Sequence, residues 1–224
     1  MSTEIFGSLR QHMVAEVVAE TIYVSARIGK AALDRRVVDV IGKVPRHQFV
    51  PAELQSYAYL NRPLPIGHGK TISQPFIVAL MTDLLTIRPH DVVLEVGTGL
   101  GYQAAVLAEL AEEVYSVEMI KNLADQAKQR VSRLGYSNIH IKTGNGYHGW
   151  LEHAPFDKII VTAAADLIPP LLILQLARGG KMVIPAGPPN SQQLIVVEKS
   201  QSGTVSTKTV LPVRFSSLDE TATE

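Results

Sequence analysis

The sequence predicts an α/β fold with a doubly wound, mostly parallel sheet. From residue 92 onward, short apolar runs alternate with stretches of helical periodicity, and strands separated by helices in this way form parallel sheets. Before residue 75 the periodicity is helical without strands, which predicts an N-terminal helical extension. Two apolar runs near the end of the chain are separated only by a short turn, which predicts a C-terminal antiparallel hairpin.

Length and composition fit one domain of this class. A chain of 224 residues can bury a core without external staples. Its 21 basic and 21 acidic residues cancel, so we expect no nucleic-acid partner. Without cysteine, disulfides, thiol catalysis and cysteine metal sites are excluded, and the histidine spacing predicts no metal site. With no signal peptide or membrane span expected, we predict a cytoplasmic monomer.

The N-terminal extension is predicted to contain two amphipathic helices between residues 8 and 44. Apolar residues recur there at helical spacing, namely Val14, Val17, Val18, Ile22, Val37, Val38, Ile41 and Val44. Beyond Pro45 the periodicity disappears up to Gln74, and repeated prolines interrupt any regular element. A loop of this length is typical of a functional segment or of one that carries short elements of its own.

The loop ends in GHGKTISQPF (Gly67–Phe76), whose GKT is part of a phosphate-loop pattern. A phosphate loop needs a strand before its glycines and a helix directly after Lys-Thr. Pro63 and Pro65 exclude a central strand here, so we reject a nucleotide-triphosphate site. Helical periodicity resumes at Phe76, with Pro75 suited to the first turn. Ser73 is therefore predicted at a helix N-terminus, near free N–H groups.

The core elements then follow in order along the chain. Strands are predicted at 92–97, 114–118, 138–144, 157–164 and 180–187, and helices at 76–85, 102–110, 120–134 and 168–177. The C-terminal hairpin is predicted at 192–200 and 204–215.

The strongest functional signal is VLEVGTGLGYQ (93–103), where a buried strand enters a glycine-rich turn and then a helix. Gly97, Gly99 and Gly101 permit a tight turn and close approach of a ligand to the backbone. Ligands of open α/β sheets bind at the carboxyl ends of the strands, where this turn lies. Glu118 ends the next strand, about twenty residues on, where an acid accepts hydrogen bonds from both ribose hydroxyls.

Loop spacing and charge favour S-adenosyl-L-methionine over a dinucleotide. Dinucleotide sites use G-x-G-x-x-G, whereas this loop reads G-x-G-x-G with Glu95 just before it. An acid is unfavourable beside a pyrophosphate but compatible with a cationic cofactor. S-adenosyl-L-methionine has a sulfonium and no phosphate, and its product would be S-adenosyl-L-homocysteine. An NAD-linked reductase is the more distant alternative.

Segments spread over the chain also match one family pattern. VLEVGTGLGYQAAVLAEL, VYSVE, GNGYHGW, APFDKIIVTAAA and ARGGKMVIPAG occur in this order, and VPRHQFVP, PLPIGHGKTISQP and VRF extend the match over 44–215. Together they resemble the protein-L-isoaspartate O-methyltransferases, also called protein-L-isoaspartyl/D-aspartyl carboxyl methyltransferases. PLPIG…TISQP is far more specific than the glycine loop, which most methyltransferases of this class share.

The resemblance implies a class I S-adenosylmethionine-dependent methyltransferase fold and a protein-repair activity. The enzyme would methylate the free carboxylate of L-isoaspartyl residues in damaged proteins and peptides, after which the ester closes to a succinimide. The resemblance also places Ser73 beside that carboxylate as the catalytic residue. The carboxylate is already ionised, and a strong fixed charge beside it would over-stabilise the ground state. A neutral hydroxyl therefore suits this position; the alternative is that Ser73 only caps the helix.

Taken together, motif and resemblance assign the candidate site. The cofactor-binding residues are predicted to be Thr71, Ile72, Glu95, Gly97, Thr98, Gly99, Gly101, Glu118, Met119, Asn145 and Gly146. The substrate-binding residues are predicted to be Pro65, Ile66, Ser73 and Arg214, the last with a solvated surface arginine as its alternative. Within one domain, we assign 1–74 to the helices and the covering loop, and 75–224 to the cofactor-binding core.

Four departures from the family pattern leave alternatives open. Asn145 and Asn61 stand where the family has Asp, Lys70 stands where it often has Gln, and RFSSL replaces RFVPL. The Asn145 carbonyl can still accept a hydrogen bond from adenine N6. One alternative is a tailoring enzyme that methylates Asp or isoAsp in a single dedicated peptide. Another is a cofactor-binding interaction module with weakened catalysis.

Overall fold

The structure is a computed structural model that describes residues 3–219. Its N-terminal third is mostly helical and ends in a small hairpin. The elements are α1 (Thr3–Tyr23), α2 (Ser25–Ile28), α3 (Arg35–Lys43), 3-10 turns at Arg46–Phe49 and Ala52–Tyr57, and the antiparallel pair β1 (Leu64–Gly67) and β2 (Lys70–Ile72). The irregular segment after Pro45 therefore does contain short elements of its own.

The core begins with a helix that starts at a proline and then alternates strands with helices. Its elements are α4 (Pro75–Leu85), β3 (Val92–Val96), α5 (Tyr102–Ala108), β4 (Glu113–Glu118), α6 (Lys121–Arg133), β5 (Ile139–Thr143), 3-10 turns at Gly146–His148 and Leu151–His153, β6 (Phe156–Val161), α7 (Pro170–Gln175), β7 (Leu176–Ala186), β8 (Gln193–Lys199) and β9 (Val205–Pro212). The predicted order of strands and helices is confirmed.

A seven-stranded sheet with the order β5-β4-β3-β6-β7-β8-β9 forms the centre of the molecule. The pairings from β5 to β7 are parallel, and β8 and β9 add antiparallel strands at one edge. The chain adds β4 and β5 on one side of β3 and then returns to place β6 and β7 on its other side, so the strand order reverses between β3 and β6. Such a switch point opens a crevice at the carboxyl ends of the strands.

Apolar side chains cover both faces of the parallel strands. Val93 packs with α1, α3 and α4 on one face, whereas Leu94 and Val96 pack with α7 on the other. Strands buried on both faces require near-continuous apolar runs, as the sequence has. Phe6, Met13 and Val17 of α1 belong to the first of these clusters, so the N-terminal helix shares the core of the sheet.

The predicted apolar face of the first helix is partly wrong. Met13 and Val17 are fully buried, but Val18 and Ile22 are 40% and 61% exposed. The helix is one continuous element from residue 3 to residue 23, and its buried stripe follows the residues that meet α3 and α4. Four valines and isoleucines at helical spacing could not by themselves indicate which of two adjacent stripes faces the core.

The segment around residue 176 also differs from the prediction. The helix expected over 168–177 ends at Gln175, and β7 starts at once instead of at residue 180. The Lys199 ammonium donates to the carbonyls of Ile173 and Leu176 at 3.0 and 2.7 Å, which satisfies acceptors at the helix end. Because Lys199 is more than twenty residues away in the chain, the sequence around residue 176 contains no signal for this end of the helix.

Within residues 3–219, no helix has both the length and the apolar character needed to cross a membrane.

Candidate active site

A cavity of ≈ 450 Å³ lies at the carboxyl ends of β3, β4 and β6. The β1–β2 hairpin, the first turn of α4, the C-terminal end of α1 and the tail over 211–219 close its walls. Its position is the one at which open α/β sheets bind ligands. Its volume lies within the ~300–1,000 Å³ typical of small-molecule sites.

The glycine loop presents bare backbone to this cavity. Gly97 has φ +97°, and a Cβ there would lie 2.4 Å from Thr162 Oγ1. The same hydroxyl donates to the Gly97 carbonyl at 2.6 Å, so β6 holds the turn in place. Gly99 also has positive φ, and a Cβ there would lie 3.1 Å from Ile66 Cδ1. Only glycine fits both the backbone conformation and the space at these two positions.

Glu118 connects the loops that follow β3 and β4. Its Oε2 accepts from the Gly99 N–H at 2.7 Å and its Oε1 from the Ile120 N–H at 2.9 Å. Burial raises the pKa of this carboxyl, while the two backbone donors oppose the shift. A carboxylate has about four lone-pair positions, so both oxygens retain capacity to accept hydrogen bonds from a ligand in the cavity.

Glu95 lies behind the loop, and the structure corrects the charge expected there. Its side chain is fully buried and is absent from the cavity wall. Its Oε2 accepts from the Ser116 hydroxyl, which in turn contacts Thr98 Oγ1 at 2.5 Å. Burial raises the pKa of Glu95 to about 8, so the side chain is a neutral acid near pH 7. Glu95 reaches a ligand only through Ser116 and Thr98, and Glu118 is the carboxyl group that lines the cavity beside the glycine loop.

Ser73 lines the cavity immediately before α4. The N-cap residue of α4 is Gln74, whose own side chain makes no capping hydrogen bond. Within residues 3–219 the Ser73 hydroxyl forms no hydrogen bond, so the helix-cap alternative for this residue is wrong. The Ser73 carbonyl accepts from Arg46 Nη2 at 2.7 Å. The hydroxyl is thus available to a ligand while its backbone is held from behind.

Most of the predicted site residues come together in the cavity wall. These are Ile66, Thr71, Ile72, Ser73, Gly97, Thr98, Gly99, Glu118, Met119, Gly146 and Arg214. Arg214 is exposed at the rim, so its assignment to a bound peptide stays a prediction.

Besides Glu95, three predicted residues lie outside the cavity wall. Pro65 points outward because alternate residues of β1 face opposite sides, with Leu64 and Ile66 buried. Gly101 has φ +95° at the start of α5, where a Cβ would face Val131 at 3.3 Å instead of the cavity. The Asn145 carbonyl oxygen accepts from the Tyr147 N–H at 2.8 Å and starts a 3-10 turn.

A polar network at the cavity mouth was not predicted. Glu20 of α1 lines the cavity, and its Oε2 accepts from Asn61 Nδ2 at 2.7 Å and from Gln74 Nε2 at 3.0 Å. The Asn61 carbonyl oxygen accepts from the Phe76 N–H at 3.0 Å. Asn can donate and accept at once, whereas Asp in this place would face Glu20 with a like charge. The only sequence signal was the departure at residue 61.

The chain's C-terminal tail crosses the opposite side of the cavity. The Ser216 carbonyl accepts from the Ala164 N–H at 2.8 Å, and the Leu218 N–H donates back to the Ala164 carbonyl at 2.7 Å. Lys70 on β2 forms an ion pair with Asp219 at 2.7 Å. The hairpin and the tail are therefore joined over the cavity by a residue that departs from the family pattern.

These residues fit S-adenosyl-L-methionine better than a phosphate-containing cofactor. Among residues 3–219, the cations that line the cavity are Lys70, which is paired with Asp219, and Arg214 at the rim. No basic cluster faces the glycine loop, where a pyrophosphate would need charge compensation. Gly146 in the cavity wall packs closely against the protein itself, since a Cβ there would lie 2.5 Å from Val96 Cγ1 and 3.0 Å from Leu218 Cδ1.

Comparison with known proteins identifies the family of the chain. The family model "Protein-L-isoaspartate(D-aspartate) O-methyltransferase" matches residues 19–223. Protein-L-isoaspartate O-methyltransferase 1 of Polaromonas sp. (strain JS666) is 63% identical over 220 residues, which are 98% of this chain and 93% of that protein. Protein-L-isoaspartate O-methyltransferase 1 of Cupriavidus necator is 56% identical over 207 residues, 92% of this chain and 80% of that one.

Solved structures show the same relationship. A Plasmodium falciparum structure, described as a putative protein-L-isoaspartate O-methyltransferase in complex with S-adenosyl-L-homocysteine, matches with a TM-score of 0.75 and 26% identity over 91% of this chain and 97% of that one. A further structure titled protein-L-isoaspartate O-methyltransferase has a TM-score of 0.74 and 27% identity, covering 89% of this chain and 65% of that one. The fold is that of a class I S-adenosylmethionine-dependent methyltransferase, and the chain belongs to the protein-L-isoaspartate(D-aspartate) O-methyltransferase family.

Proposed function

We propose that this protein transfers a methyl group from S-adenosyl-L-methionine to the free carboxylate of L-isoaspartyl residues in damaged proteins and peptides, the step that initiates their repair. Beside membership of the family, one observation supports this most strongly. The Ser73 hydroxyl, without a partner in residues 3–219, stands in the wall of the same cavity as the glycine loop and Glu118. Cofactor-binding and substrate-orienting groups thus share one enclosure.

The chemistry asks this chain for positioning and exclusion of water, because the nucleophile arrives ionised. A carboxyl group with a reference pKa of about 4 is an anion near neutral pH. No general base is required of the chain for this step. Alignment of reacting atoms by itself can contribute ~7–11 kcal/mol to lowering a barrier.

Ser73 is the residue we assign to orienting the substrate carboxylate. The first free amide of the neighbouring helix, that of Phe76, is already bound by Asn61. The Ser73 hydroxyl is a side-chain donor that stays available at this point of the wall. As a neutral group it orients the anion without stabilising the ground state as strongly as a directly paired cation would.

The cofactor, when bound, supplies a methyl group made electrophilic by its sulfonium. We assign Glu118 to the ribose hydroxyls, Gly97 and Gly99 to close backbone contact, and Thr71 and Ile72 to covering the methionine end. Ile66 and Arg214 are assigned to the peptide. The segment 1–74 would close the site over the core formed by 75–224.

The partners are isoaspartyl proteins and peptides. We further propose a cytoplasmic monomer that uses neither nucleic acid nor membrane as a partner, in keeping with the cancelling 21 basic and 21 acidic residues.

The test is transfer of labelled methyl groups to several unrelated peptides, each made with one isoaspartate and again with ordinary aspartate. Labelling of all isoaspartyl peptides and of no aspartyl peptide is expected. Labelling of one sequence only would indicate a dedicated tailoring enzyme. Binding of the cofactor without any ester would indicate an interaction module and contradict the proposal.

A further inference from the structure

Arg46 is a fully buried arginine behind the cavity wall, and the function proposed above gives it no role. It lies in the 3-10 turn Arg46–Phe49 with 0% of its surface exposed. Its Nε donates to the Ala58 carbonyl at 2.8 Å and its Nη2 to the Ser73 carbonyl at 2.7 Å. The guanidinium carbon lies 4.9 Å from the centre of the Tyr102 ring. Arg46 does not itself line the cavity.

The positive charge of Arg46 has no counter-ion among the described residues. Within residues 3–219 no carboxylate forms an ion pair with it, and the titratable groups that face it are the phenols of Tyr102 and Tyr59. Within that part of the chain, Arg46 Nη1 and the Tyr102 hydroxyl have no hydrogen-bond partner of good geometry, but the neutral phenol lies beside the guanidinium and favours its charged form. Burial lowers the pKa of Arg46 to about 10, so the side chain stays charged near neutral pH.

An unpaired buried charge is costly, so stability alone does not account for this arginine. Taking a charge out of water without an opposite charge beside it is expensive, even where its N–H groups donate to carbonyls as those of Arg46 do. A charge kept without a partner is instead balanced when an anion binds nearby. Ser73, one peptide carbonyl away from the guanidinium, is where an anionic carboxylate would lie according to the proposed function, on which this inference rests.

We propose that Arg46 is a positioning residue for methyl transfer: it fixes the Ser73 backbone in the cavity wall, and its uncompensated charge attracts the substrate carboxylate to that point. The charge acts through one peptide group and not by direct contact. It therefore favours binding of the anion without the tight ion pair that would resist loss of the negative charge during transfer.

The same charge affects only one of the two forms of the cofactor. S-adenosyl-L-methionine has a sulfonium, whereas S-adenosyl-L-homocysteine has a neutral sulfur and is otherwise the same ligand apart from the methyl group. A nearby buried cation repels the first and not the second. The ratio of their dissociation constants therefore reports the electrostatic effect separately from any change in the shape of the site.

The experiment compares Arg46→Met, which removes the charge at similar length, with Arg46→Lys, which keeps it. Titration calorimetry gives the dissociation constants of both ligands without any peptide. The quantity compared is the dissociation constant of S-adenosyl-L-methionine divided by that of S-adenosyl-L-homocysteine. We expect Arg46→Met to lower this ratio about three- to tenfold, because the repulsion of the sulfonium is lost. Arg46→Lys should leave the ratio as in the wild type. A purely structural role would change both constants together.

Arg130→Met is the matched control. Arg130 is also partly buried and donates to a backbone carbonyl, that of Gln48, but it lies outside the cavity wall. Its variant is expected to leave the ratio unchanged. A ratio unaltered by Arg46→Met, or altered equally by Arg46→Lys, would overturn the inference.

A second readout uses an isoaspartyl peptide. Arg46→Met is expected to raise its KM about tenfold, with a smaller rise for Arg46→Lys; equal KM values for wild type and Arg46→Met would contradict the attraction of the carboxylate. If no peptide is methylated while the cofactor ratio changes as expected, the proposed function fails and the electrostatic role of Arg46 stands.

Discussion

Replacing Glu118 by Gln separates the structural and the cofactor-binding roles of this side chain. In the wild type each carboxylate oxygen accepts one backbone N–H, from Gly99 at 2.7 Å and from Ile120 at 2.9 Å. A glutamine keeps one acceptor oxygen, but its NH₂ group must face the other N–H as a second donor. One of the two loop contacts is thereby lost, and the remaining one no longer involves a charge.

The expected magnitudes follow from these contacts. A hydrogen bond to a charged group contributes ~1.5–3 kcal/mol, and an unsatisfied buried donor costs ~1–3 kcal/mol. The free energy of unfolding of Glu118→Gln should thus be about 1–3 kcal/mol lower than that of the wild type. Loss of a charged acceptor for the ribose hydroxyls should weaken S-adenosyl-L-homocysteine binding about ten- to a hundredfold, at 1.4 kcal/mol per factor of ten.

The assay is titration calorimetry with S-adenosyl-L-homocysteine, together with urea unfolding. Glu113→Gln is the control, because Glu113 lies on the same strand but is bonded to His140 on the surface. A dissociation constant for Glu118→Gln within a factor of about two of the wild type would refute the role of Glu118, given the expected loss of a charged hydrogen bond.

Three further changes test other parts of the site. Burial raises the pKa of Glu95 from its ordinary 4.5 to about 8, so folding favours the protonated acid. The contribution of this acid to stability is complete below pH 4.5 and declines as the pH rises towards 8. Urea unfolding at pH 5 and pH 8 should show that Glu95→Gln removes this decline, and the same change in the free energy of unfolding for wild type and variant would contradict it. Gly97→Ala should abolish tight cofactor binding, because the new Cβ would lie 2.4 Å from a hydroxyl oxygen, whereas Gly135→Ala, with φ +82° and open space, should lose stability only. Lys70→Gln and Asp219→Asn should each speed the release of S-adenosyl-L-homocysteine about two- to fivefold, because each breaks the same partly exposed ion pair. The double variant should release it no faster than either single variant. Additive effects of the two changes in stopped-flow measurements would contradict a role of this ion pair in closing the cavity.

The parts of the structure that local sequence determines could be predicted. The strand–glycine turn–helix at 93–103 requires backbone conformations that only glycine adopts, and Glu118 follows from the regular length of a βα unit. The start of α4 was predictable because Pro75 fits a first helical turn. Each of these depends on residues close together in the chain.

The parts that depend on distant residues could not be predicted. Glu20 reaches the cavity because α1 packs on α4, and Arg46 meets Ser73 across 27 positions. The raised pKa of Glu95 was not predicted, because burial, which raises it, is a property of the assembled sheet. Charge and exposure at such positions follow from tertiary packing, which a periodicity of apolar residues does not specify.

The most direct test of the account is the turnover of Ser73→Ala on an isoaspartyl peptide at saturating peptide and cofactor. Because Ser73 is assigned to orienting the reacting oxygen, its loss should lower kcat about ten- to a hundredfold, with the affinity for S-adenosyl-L-homocysteine unchanged. Full turnover by Ser73→Ala would show that the carboxylate is oriented by some other group and would contradict the placement of the substrate beside Ser73.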